Sequence, residues 1–148
     1  MKQKRINWRY LAILAIILAF FVAIVSTSYP RMIWFDESYT ANLIEGNFSQ
    51  IANMAALDVH PPLFYWLLHI WYLIFGHSLV ALRSFSTFCA VIALICINKL
   101  MIRWSKSAKV SLFLTAILAA CPFFIYYASE MRMYALVCAI VAAALAFR

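Results

Sequence analysis

From Tyr10 to Tyr29 the chain runs twenty residues without a charged side chain. As a helix, such a run is about 30 Å long, the thickness of the hydrocarbon layer of a membrane. Further apolar runs cover 62–76, 78–104, 110–127 and 133–147. A soluble domain of 148 residues cannot bury a chain that is 68% hydrophobic, because its surface is too large for its volume. Two glycines are too few for the turns of a β-barrel. The expectation is an all-α, polytopic integral membrane protein.

The formal net charge of +7 does not point to nucleic acid, because the basic residues gather at the ends of apolar runs. Lys2, Lys4, Arg5 and Arg9 precede the first run, and Lys99, Arg103, Lys106 and Lys109 close a later one. That is the pattern of cytoplasmic anchors. The basic-then-apolar start also resembles a signal peptide, but the run is long for one and more spans come after it, which favours an uncleaved anchor. Cys89, Cys96, Cys121 and Cys138 each lie inside apolar sequence, without metal-ligand spacing, and read as inert thiols.

These markers predict spans at about 10–29, 79–103, 110–128 and 133–148, with a kink at Pro122. With the 99–109 cluster cytoplasmic, the N-terminus is cytoplasmic and the loop 30–61 extracytoplasmic, in a cell membrane. The segment 62–76 is then a short, partly embedded helix; the alternative makes it a full span and reverses the direction of every later one. Within the loop, Asp36 is expected to cap a helix through Leu43 and Ile44 that stops at Gly46. A second helix starts near Asn47 or Ser49, with Phe48, Ile51, Met54, Ala55 and Leu57 on one face.

Asp36, Glu37, Asp58, His60, Arg83, Glu130 and Arg132 all fall on the outer side in this topology. Asp36 and Glu37 are adjacent, so one can serve the helix start while the other works. In Asp58-Val59-His60-Pro61-Pro62 the prolines stiffen an extended Asp-x-His that suits a substrate or a phosphate, or forms a polar turn. Arg83 either supplies charge to a phosphate or snorkels to the interface. Tyr65, His69, Tyr72 and Gly76 share a helical face, either an aromatic belt or, through Tyr65, a substrate contact. Tyr126, Glu130 and Tyr134 are spaced to share another. There is no nucleotide-binding glycine loop, serine nucleophile elbow or zinc pattern. No cofactor is implied, and a divalent metal has no ligand pattern to support it.

The ordered set WFDESYT, D-x-HPPL-x-YW, FGHSLVALRSFS and ASEMRMYAL resembles the polyprenyl-phosphate-sugar-dependent GT-C glycosyltransferases, over roughly residues 8–140. The protein O-mannosyltransferase and lipid A aminoarabinose transferase branches are the most similar. The resemblance implies a GT-C transmembrane helix bundle with short interfacial helices in the first outer loop. It implies a lipid-phosphate sugar donor and a protein, glycan or lipid acceptor. It makes Asp36 the catalytic base with Glu37 in support, and Asp58, His60, Arg83, Glu130, Arg132 and Tyr65 the substrate-binding set. Single displacement would invert the anomeric centre. Family members are several hundred residues long, so the chain is expected to be an N-terminal portion that works with a further part or a partner subunit. Two other readings stand beside it: a non-catalytic polyprenyl-phosphate-binding or assembly subunit, and a small helical transport protein.

Overall fold

The computed structural model describes residues 8–58 and 60–148. Lys2, Lys4 and Arg5 of the basic N-terminal run, and Val59 of the expected extended dipeptide, lie outside the described residues. The chain forms eight helices there: α1 (Trp8–Thr27), α2 (Phe35–Leu43), α3 (Phe48–Leu57), α4 (Leu63–Phe75), α5 (Leu79–Ser105), α6 (Ala108–Ala120), α7 (Pro122–Ala128) and α8 (Tyr134–Ala146). No strand occurs among the described residues. The all-α membrane architecture is as the composition requires.

Two helices, α1 and α5, are long and apolar enough to cross a membrane. The pair α6 and α7 qualifies together but bends by 67° at Pro122. Proline has no N–H for the ladder and takes the first position of a new helix, so Cys121 is left extended and α7 departs at a new angle. α4 and α8, thirteen residues each, are shorter apolar helices of about 20 Å.

α5 is the hub. Ser78 caps its start by accepting from the Ala81 N–H at 3.1 Å, and it packs against α1, α4, α6, α7 and α8. Against α8 the fit is made by small side chains: Ala135, Ala139, Ala142 and Ala146 are buried at i, i+4, i+7 and i+11. They let the backbones approach closely where lipid supplies no hydrophobic drive for helix association. Against α6 the contact is polar. Asn98 Nδ2 donates to Ser111 Oγ (2.9 Å) and Thr115 Oγ1 (3.0 Å), and Ser111 Oγ donates back to the Asn98 carbonyl (2.7 Å).

Three local expectations are corrected. Asp36 is not the cap of α2: Trp34 occupies that position, with extended backbone and no capping side chain, and Asp36 lies in the first turn. Leu57 is 88% exposed, because the α3 seam is set by buried Ile51 and Ala55, and two residues beyond Ala55 is about 200° around the helix. Tyr126, Glu130 and Tyr134 share no helical face, since a turn at 129–133 separates α7 from α8. The start of α3 agrees with expectation, and Asn47 and Gln50 cap each other reciprocally.

The alanine stripe leaves no room for a larger group. Ala139→Phe is expected to destabilise the fold by about 1–3 kcal/mol through overpacking, whereas the same change at exposed Ile140 is nearly neutral. Reversible unfolding in mixed micelles measures both.

Candidate functional site

The site begins with an arginine that the sequence leaves free to snorkel and the fold does not. Arg83 lies one turn into α5 and is fully buried. Its Nε and Nη2 donate to the two carboxylate oxygens of Glu37 at 2.9 and 2.6 Å, a bidentate pair with both side chains fully buried. Nη1 donates to the carbonyls of Ser28 (3.2 Å), Tyr29 (3.4 Å) and Arg31 (2.9 Å), and Nη2 to that of Met32 (3.3 Å). The planar fork of five donors thus closes on one carboxylate and the turn at the end of α1. Glu37 Oε1 also accepts the Met131 N–H at 3.2 Å, which binds the 129–133 turn to the same centre. Tyr29 and Ala128 are tied nearby through the Thr87 hydroxyl.

Asp36 precedes Glu37 by one residue, about 100° around α2, and faces elsewhere. Its side chain is 35% exposed, and Oδ2 lies 3.7 Å from Nη2 of Arg132, whose side chain is 9% exposed. The Arg132 N–H closes a tight turn on the Glu130 carbonyl at 2.8 Å. Asp58 ends α3, and its Oδ2 is 2.9 Å from His60 Nδ1, at ion-pair distance but without hydrogen-bond alignment. Tyr65 on α4 is buried within electrostatic reach of Arg132, Asp58 and Asp36. α4 itself is fixed by His69 Nδ1 on the Ile44 carbonyl (2.7 Å) and by Trp66 Nε1, which donates to the Phe48 carbonyl (3.0 Å).

Residues from 28–37, from 58–65, from the start of α5 and from the 129–133 turn therefore gather in one place. Tyr65 Oη, Glu130 Oε2 and Arg132 Nε are buried there without a hydrogen-bond partner among the described residues. Buried polar atoms are nearly always paired, so three such atoms in one cluster mark a place suited to a polar ligand. No group of acids, histidines and cysteines fit to hold a metal occurs among the described residues.

Sequence reasoning missed three members of the cluster. Tyr39, one turn beyond Asp36, feels both Asp58 and Arg132; burial pushes its phenol up, the Asp58 charge adds to this, and Arg132 opposes it. The i, i+3 spacing from Asp36 was the available signal. Arg31 stacks its guanidinium 4.2 Å from the centre of the Tyr126 ring. Trp34 lies close enough to Glu130 to favour its charged form.

The bundle is built on membrane-length helices, and four of its five acids gather with Arg83 and Arg132 in one cluster near the start of α5. The family model for dolichyl-phosphate-mannose-protein mannosyltransferases matches residues 59–148, and the chain belongs to that family of GT-C membrane glycosyltransferases. No curated protein and no solved structure matches the chain. The matched stretch contains His60, Tyr65, Arg83, Glu130 and Arg132, and excludes Asp36, Glu37 and Asp58. The Arg83–Glu37 and Arg132–Asp36 contacts join the two groups.

Removing one partner of a buried ion pair strands the other, so Arg83→Met is expected to cost about 3–5 kcal/mol. The double variant Arg83→Met, Glu37→Gln recovers part of this, which a double-mutant cycle on detergent unfolding measures. Separately, burial holds the Glu130 carboxyl above the ordinary 4.5; the Glu37 charge adds to the push, while Arg31, Trp34 and Arg132 oppose it. Between 4.5 and the raised value the folded state binds more protons than the unfolded one. Stability therefore falls as pH rises through that window, and Glu130→Gln flattens the slope. Unfolding midpoints taken across that pH range test the sign.

Proposed function

We propose that the protein transfers a sugar from a polyprenyl-phosphate donor to an acceptor hydroxyl at the extracytoplasmic membrane surface, with inversion, and that Asp36 is the base. The observation that carries this is the contrast between neighbours. Glu37 is enclosed by Arg83, whereas Asp36 keeps a partly exposed carboxylate beside the buried Arg132. As the hydroxyl oxygen attacks the anomeric carbon, its proton passes to Asp36. The bond from that carbon to the phosphate oxygen breaks, and the lipid phosphate leaves with an added negative charge. Arg132 is the cation available to stabilise it, at a position fixed before reaction by the Glu130–Met133 turn.

Arg83 then acts through Glu37 as a positioning residue. Tyr65, Glu130, Asp58 and His60 are the side chains offered to donor and acceptor. The family's name specifies mannosyl transfer from dolichyl phosphate to protein, which supports a lipid-phosphate sugar and a protein hydroxyl; a glycan or lipid hydroxyl suits the same chemistry. In this reading α1, α5 and α6–α7 cross the membrane, and α4 and α8, about 20 Å each, are embedded in it. Arg83 and Lys106 stand at opposite ends of α5, about 35 Å apart along its axis. Positive charge at the Lys106 end favours placing it, and the N-terminus, in the cytoplasm.

Radiolabelled polyprenyl-phosphate sugar supplied to the whole polypeptide in vesicles tests the reading. Asp36→Asn is expected to lower kcat by about 10²–10⁴-fold with little change in donor KM. Unchanged transfer by Asp36→Asn would remove Asp36 from the mechanism, and donor binding without transfer by the native chain would favour a non-catalytic subunit. Cysteine-accessibility labelling at positions 106 and 130 tests the topology.

A further inference from the structure

The end of the bundle away from this site carries a second feature, which glycosyl transfer does not use. α1 and α5 run antiparallel: the turn after α1 meets Arg83 and Thr87 at the start of α5, so the start of α1 lies beside the end of α5. Between them opens a groove of about 680 Å³. Its α1 wall carries Arg9, Ile13 and Ile17, and its α5 wall carries Ile95, Lys99 and Ile102. Because the helices are antiparallel, the two cations stand near one end, and Ile17 and Ile95 stand deeper between the two long apolar helices.

Two cations over an aliphatic trough match one kind of occupant. We infer that this groove binds an anionic phospholipid, its phosphate between Arg9 and Lys99 and an acyl chain along Ile13, Ile17 and Ile95. A zwitterionic lipid fits the trough but adds its own ammonium to two cations already there. A protein helix would have to bring an acid to that level. Lys99 lines the groove, and its ammonium rests 3.3 Å from the centre of the Phe147 ring. Lys or Arg near an anionic lipid surface contributes about fivefold in affinity per residue. The inference depends on α1 and α5 lying in a bilayer, and not on glycosyl transfer.

The test uses the full chain in nanodiscs of phosphatidylcholine, with spin-labelled phosphatidylglycerol or phosphatidylcholine as the probe. The native chain is expected to immobilise phosphatidylglycerol several-fold in preference. Lys99→Gln should reduce the preference about fivefold, and Arg9→Gln with Lys99→Gln should abolish it. Ile17→Trp, which fills the trough and keeps both cations, should also displace the immobilised lipid. Lys106→Gln with Lys109→Gln should leave the preference intact. Circular dichroism confirms that each variant keeps its helices, and Lys99→Gln, at an exposed position, provides the test should a larger change disturb the fold. Three results would overturn the inference: no preference in the native chain, a preference that survives loss of both cations, or equal loss in the Lys106, Lys109 variant, which would mean diffuse attraction rather than a site.

Discussion

The fold is organised around one buried ion pair. Taking a guanidinium and a carboxylate out of water costs several kcal/mol for each ion, and their mutual attraction alone does not guarantee a net gain. The Arg83–Glu37 pair is tolerable because its surroundings are complete. Every nitrogen of Arg83 has an acceptor, and Glu37 takes a third donor from the Met131 backbone. The turn after α1, the first turn of α2, the start of α5 and the loop before α8 must all be in place for the pair to be satisfied. Apart from α5, these segments are short and bring little packing surface of their own. The pair specifies an arrangement that lipid-driven packing leaves open, because in a bilayer one apolar helix face is nearly as good as another.

The same constraint separates the roles of two adjacent acids. Glu37 and Asp36 differ by one methylene and one position. Rotation about the helix sends Glu37 inward to Arg83 and leaves Asp36 at the rim of the cluster. Glu37 is engaged by three donors and enclosed, whereas Asp36 stands beside a single cation at 3.7 Å and keeps its access to solvent. The clamp fixes α2 against α5 and so holds Asp36 at a defined distance from Arg132, preorganisation that the proposed transfer would use.

Much of this was legible in the sequence. The uncharged run before Tyr29, the proline at 122 and the helix start near Asn47 each state a local rule that the structure obeys. The outer-side grouping of acids with Arg83 and Arg132 came from where charge interrupts apolar sequence, and the fold brings those residues together. The failures were of another kind. Helical spacing placed Glu130 between two tyrosines, but the Met131 N–H is drawn to Glu37 and the Arg132 N–H to the Glu130 carbonyl, so the helix breaks there. Asp36 looked like a cap, yet Arg83 holds the carbonyls of Arg31 and Met32, and the helix begins where that grip ends. Both errors are long-range interactions overriding local propensity, and sequence periodicity carries no information on either.

The placement of polar groups along α5 ties the two ends of the bundle together. The helix carries a buried arginine near its start, Asn98 deep in its second half, and Lys99 and Arg103 toward its end. Each is satisfied differently: the first by a carboxylate and backbone carbonyls, the second by Ser111 and Thr115 of α6, and Lys99 by the face of an aromatic ring. Ionisable groups in or near a bilayer are costly unless paired or wetted, so their positions record where the chain meets protein, lipid and water. On α5 the fully enclosed charge stands at one end and the exposed ones at the other. That polarity separates a dry, fully paired end of the helix from an end whose charges stay accessible.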